Sequence, residues 1–170
     1  FFLWAPDDIL NKPCGDCDGG GYLQVAENFL AGKGWTDNNG RFATTRPPGH
    51  ALIIAALITI AQWTDAPAIY IFRIFNTLMI VTSSVLLLMI GQLVWQNKYI
   101  VFIPFVWMTS PFTLWFLNQS YSEMPFFTSF FGSLLLAIIS FRSNGQRQYL
   151  CAFAVGIVSA LSMMIKPIAV

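Results

Sequence analysis

IYIFRIFNTLMIVTSSVLLLMIGQLVW, residues Ile69–Trp95, decides what kind of protein this is. At 1.5 Å per residue the run outreaches a hydrocarbon core of roughly 30 Å and crosses it with tilt. It carries one charge, Arg73, near its first end. Three further apolar runs follow: Tyr99–Leu117, Met124–Phe141 and Tyr149–Ile165. The last two approach the lower limit of about 17 residues for a span. Pro104 predicts a kink in the second run. The reading is an all-α, polytopic transmembrane helical bundle. Alternating polarity, the mark of a membrane β-barrel, is absent from these runs.

Composition agrees. Hydrophobic residues make up 56% of the chain and charged residues 10%, against about 25% charged in a soluble domain. Sixteen Phe and six Trp suit a lipid-facing surface with interfacial anchors. No basic stripe marks a nucleic-acid partner; the lipid bilayer is the expected one.

The charges give the topology. Asp7, Asp8, Asp16, Asp18, Glu27, Asp37 and Asp65 precede the first long span, and Glu123 lies between the second and third. The other short gaps hold Lys98, Arg142 and Arg147 and no carboxylate. The positive-inside rule makes those gaps cytoplasmic and the acidic side extracytoplasmic. Residues 1–66 are then an outer loop, and residues 67–170 hold four spans of a larger membrane domain. The start at Phe1 and the stop at Val170 inside an apolar stretch suggest a piece of a longer chain.

Within the outer loop, Phe1–Gly21 is polar and Gly-rich without a clear period. Tyr22, Val25, Ala26, Phe29 and Leu30 then repeat at helical spacing, with Gln24, Glu27 and Asn28 opposite. Gly32 and Gly34 end that helix, which suits a membrane surface. Asp37-Asn38-Asn39-Gly40 signals a turn. Pro47 and Pro48 open a second juxtamembrane helix over Ala51–Trp63, too short to cross. Cys14 and Cys17 form a C-x-x-C that either closes a small disulfide loop in an oxidising compartment or stays as two thiols. With His50 the only histidine, the pair does not complete a zinc site.

Chemistry is expected in the loop. Asp16 and Asp18 stand before three glycines that let backbone approach a ligand; the competing reading is a solvated loop acid. Arg73 and Lys166 lie near span ends, where a cation marks either a functional path or snorkelling to the interface. Glu123 either serves a ligand or stabilises the helix start at Pro125. Asn118, Gln119 and Tyr121 suit sugar hydroxyls, or an ordinary turn.

The stretch DGGGYLQVAENFLAGKGW, Asp18–Trp35, resembles the first outer loop of polyprenyl-phosphate-sugar-dependent glycosyltransferases. These are the GT-C membrane enzymes that include protein O-mannosyltransferases and the lipid A aminoarabinose transferase. Three more landmarks follow in that family's order. RPPGH (Arg46–His50) is similar to its Arg-Pro-Pro-Gly-Tyr opening. SEMPF (Ser122–Phe126) is similar to its Thr-Glu-Pro segment, and LSMMIKP (Leu161–Pro167) to its Thr-Arg-Pro or Thr-Lys ending. Gly19 stands where many relatives have a second acid, and His50 where they have Tyr.

The resemblance implies inverting sugar transfer from a polyprenyl-phosphate donor to a lipid, glycan or protein acceptor, on the outer face of a bacterial inner membrane. It implies Asp18 as catalytic base and Arg46, Arg73 and Lys166 as donor-phosphate ligands. Tyr22, Glu123 and Asn118 would be substrate contacts. It leaves open a divalent metal ion, with Asp18 and Glu123 as candidate ligands. The alternatives are a non-enzymatic carrier or flippase for lipid-linked sugars, which needs Arg73 but not a positioned Asp18, and a catalytically dead membrane scaffold.

Overall fold

The computed structural model describes residues 18–166 except 38, 45, 96 and 118. Seven α-helices run through them: α1 Asp18–Leu30, α2 Pro48–Thr64, α3 Ala68–Val94, α4 Phe102–Thr109, α5 Pro111–Phe116, α6 Glu123–Arg142 and α7 Gln146–Ile165. A 3₁₀ turn, Lys98–Val101, leads into α4. Among the described residues there is no strand, only an isolated bridge between Thr36 and Phe42. Three helices, α3, α6 and α7, are long and apolar enough to cross a membrane.

The second expected span differs. It is not one helix over Tyr99–Leu117 but three helical pieces, and the break falls at Ser110-Pro111 rather than at Pro104. Ser110 is extended (ψ 129°) ahead of Pro111, because the proline ring disfavours α geometry in the residue before it. Pro104 sits in the first turn of α4, where a missing N–H costs little. The broken segment still runs the length of α3 in reverse. Ile100 packs on Gly91, Trp107 Nε1 donates to Ser83 Oγ at 2.8 Å, and Phe116 reaches Asn76. Helix α6 then runs parallel to α3, with Thr128 Oγ1 donating to the Met79 carbonyl at 3.0 Å. Helices α6 and α7 form a hairpin closed by Ser140 Oγ donating to the Gln148 carbonyl.

These directions sort the charges. Asp65, Glu123 and Lys166 share one end of the helices with α1 and α2, while Lys98, Arg142 and Arg147 share the other. Cys151 lies on α7 as a free thiol. Cys14, Cys17, Asp16 and Asn118 lie outside the described residues.

Two apolar clusters organise the packing. Tyr22, Val25 and Ala26 of α1 meet Ala51, Ile54 and Leu57 of α2 and Phe72 of α3. Ile80, Phe116, Leu117 and Met124 form the second, under Trp107 and Phe127. Helix α1 begins four residues before the expected Tyr22, taking in Asp18 and all three glycines. Glycine is a poor helix former, but a Cβ on Gly21 would sit 2.7 Å from the Arg46 guanidinium. Packing room outweighs propensity there. Of the expected apolar face, Tyr22, Val25 and Ala26 are buried, while Phe29 and Leu30 remain exposed.

The end of α5 shows how freed backbone is satisfied. Carbonyls that a helix end leaves unpaired need donors, and buried Asn76 supplies them. Its Nδ2 donates to the carbonyls of Phe116, Leu117 and Gln119 at 3.1, 3.2 and 3.0 Å. Asn76→Leu keeps the volume and removes the donor from the Leu117 and Gln119 carbonyls, while the Phe116 carbonyl keeps the Gln119 N–H. It should destabilise the protein by about 1–3 kcal/mol, read from unfolding in mixed detergent micelles; an unchanged midpoint would mean that water supplies the bonds.

Candidate functional site

Four separated segments meet at the acidic end of the helices. Arg46, ahead of α2, places its Cζ 5.2 Å from the Tyr22 ring centroid, a cation–π distance. Gly21 leaves the space that the guanidinium fills. Tyr22 meets His50 edge-on, with ring centroids 4.9 Å apart. His50 Nε2 lies 2.9 Å from the Ser120 carbonyl. A carbonyl only accepts, so Nε2 carries the hydrogen and Nδ1 is the bare acceptor. Three residues beyond Ser120, Glu123 opens α6 and its Oε1 accepts from Lys166 Nζ at 2.7 Å.

The local sequence explains each position. Pro47 is the N-cap of α2 and Pro48 its first residue, so His50 sits in the first turn, facing inward. Gly49 is there because of α7: a Cβ on it would lie 2.7 Å from the Met164 carbonyl oxygen. Lys166 caps the C-terminus of α7 and Glu123 stands in the first turn of α6. Each charge therefore lies at the helix end whose dipole favours it. The pair is partly buried, with side-chain exposures of 36% for Lys166 and 16% for Glu123. Glu123 Oε2 is buried with no hydrogen-bond partner, as is His50 Nδ1.

The expected site residues divide accordingly. Tyr22 and Arg46 come together, and Glu123 and Lys166 come together; His50 and Ser120 link the two pairs. Arg73, in the second turn of α3, places its Cζ 6.0 Å from the Tyr70 ring of its own helix. Asp18 is the first residue of α1, and its side chain lies outside the description. Among the described residues no three His, Cys, Asp or Glu gather as metal ligands. Sequence reading missed His50 and Gly49 as site residues. Their one signal was position, inside the RPPGH motif.

Burial holds the His50 imidazole neutral. Its pKa is lowered from 6.5 to about 4, by desolvation first, with the Ser120 carbonyl bond working the other way. Comparison with family models, curated proteins and solved structures found no match.

A pH dependence follows. Between pH 6.5 and about 4 the unfolded chain protonates its histidine while the folded protein keeps His50 neutral. Stability should therefore fall as pH drops through that window, and this contribution should be flat above it. Unfolding midpoints measured from pH 7.5 to 4 should show a steeper acid decline in the wild type than in His50→Gln. Parallel curves would place the imidazole in water.

Proposed function

We propose that this chain is part of a membrane glycosyltransferase that moves a sugar from a polyprenyl-phosphate donor to an acceptor on the extracytoplasmic face. One observation carries the reading: the motif segments that resemble the GT-C enzymes, far apart in sequence, converge at one end of the helices. Arg46 meets Tyr22, His50 meets Ser120, Gly49 meets Met164, and Glu123 meets Lys166. Helix α1, which Asp18 opens, packs against α2 at that same end.

The chemistry suits such a place. The donor keeps its tail in the bilayer and its phosphate at the interface. Arg46 and Lys166 both lie at that end, and Arg73 lies near the same end of α3; in this reading they stabilise the charge on the departing phosphate. An acceptor hydroxyl attacks the anomeric carbon, and the bond to the phosphate oxygen breaks with its electron pair. Asp18 takes the hydroxyl proton. Tyr22, Asn118 and Glu123 are the substrate contacts in this reading. The broken segment traverses beside α3, α6 and α7 as a fourth span, in a bacterial inner membrane.

Sidedness is tested by single-Cys labelling with an impermeant reagent in intact cells. Ser120→Cys should label and Ser143→Cys should not; the reverse would invert the membrane and remove the site from the donor's outer face.

Asp18→Asn keeps the shape of the residue and removes its charge. General-base help is worth roughly 10²–10⁴-fold, so sugar transfer by the full protein in liposomes should fall by about that factor. Asp16→Asn is the control and should be mild. A reversal would move the base to Asp16. Equal, mild effects, with lipid-linked sugar still crossing the bilayer, would favour a carrier.

A further inference from the structure

His50 is the least expected member of the cluster. It is 3% exposed, and it touches both halves of the site. On one side its ring edge supports Tyr22, whose own ring carries Arg46. On the other its Nε2–H reaches the Ser120 carbonyl, in the turn that leads to Glu123. Helix α2 also approaches α7, where Gly49 lies against the Met164 backbone.

We propose that His50 is a positioning residue of this site: through Nε2–H it clamps the Ser120 turn to the Tyr22–Arg46 stack, and so helps to fix Arg46 relative to Glu123 and Lys166. The bond is directional, because the carbonyl requires a hydrogen on that nitrogen and no other. A phenylalanine of similar volume would keep the edge contact with Tyr22 and lose the tie. Burial keeps the ring neutral and Nδ1 bare, so a single tautomer serves the clamp. The functional consequence rests on the transferase reading; the clamp itself does not.

The test has one arm for each. The sequence holds one histidine, so the protein labelled with ¹⁵N-histidine, in micelles at pH 7.5, reports the His50 ring directly. A protonated Nε2 in a hydrogen bond is expected, and a protonated Nδ1 would overturn the proposal. Hydrogen exchange at residues 119–122 should quicken in His50→Phe and stay slow in His50→Gln, whose side-chain amide can place an N–H near the Nε2 position. Equal exchange in both variants would overturn it too.

The activity arm uses a polyprenyl-phosphate sugar as probe. His50→Phe should raise the donor KM by about tenfold, the scale of one lost buried hydrogen bond, with a smaller change in kcat. His50→Gln should restore most of the loss. In an Arg46→Gln background His50→Phe should cost little more, since a residue that acts through Arg46 cannot lose the same effect twice. Fully additive losses, or Gln as damaging as Phe, would make His50 ordinary core. A wild type that transfers no sugar while the ring and exchange results hold sinks the transferase reading and leaves the clamp standing. If His50→Phe does not fold, the wild-type tautomer still decides the clamp.

Discussion

The close approach of two backbones, Gly49 against the Met164 carbonyl, is the constraint on which the acidic end of this protein depends. A Cβ at Gly49 would be 2.7 Å from that oxygen and 2.8 Å from its carbon. Backbone cannot swing aside as a side chain can, so a larger residue must separate α2 from α7. Much follows from the proximity. The first turn of α2 comes near enough to the 119–122 turn for His50 to reach Ser120, and the end of α7 stays beside the start of α6, where Lys166 meets Glu123. Glycine here does not supply an unusual backbone angle; it supplies absence of volume.

Charge placement follows a similar economy. An ion pair in an apolar setting loses more hydration than it regains unless its geometry and position are good. Lys166 and Glu123 remain partly exposed at helix ends of the favourable sign, so they keep some water and gain from both dipoles. Arg46 also lies over an aromatic face, whose quadrupole attracts a cation. Both cations of the cluster are thus held by the protein itself, Lys166 by a carboxylate and Arg46 with an aromatic face among its contacts.

Hydropathy made the long helices legible. Ile69–Trp95 was expected and Ala68–Val94 is found, and the ends of α6 and α7 fall within three residues of expectation. Apolar content reads out reliably because the solvent imposes it along a whole span. The failures are local. Pro104 and Pro111 look alike in sequence and both stand in the first turn of a helix; what separates them is that α4 ends at Thr109, just before Pro111, so only Pro111 lies at the break. The early start of α1 over three glycines was hidden because propensity argues against it, while the Arg46 side chain that needs the space is far along the chain. His50 read as an odd replacement within a motif, since its partner carbonyl is 70 residues away and carries no side-chain signature.

The two apolar clusters divide the site between them. Tyr22 belongs to the cluster of α1, α2 and the first turns of α3, and Arg46 lies on it. Glu123 opens the helix whose Met124 belongs to the other cluster, with Ile80, Phe116 and Leu117. Helix α3 contributes Phe72 to the first and Ile80 to the second, with Asn76 between them, tied to the carbonyls of Phe116, Leu117 and Gln119. Each half is therefore anchored to α3 by its own packing, and His50 adds a directional bond between them. A small rotation of the α1–α2 unit about Gly49 would shift Arg46 relative to Lys166, opposed by the packing on Phe72 of α3. Apolar packing opposes such a slide less sharply than a hydrogen bond to a fixed carbonyl does, because packing is non-directional. In this fold stability comes from the clusters and alignment from a few polar contacts, so a change that leaves the protein well folded can still misplace its charges.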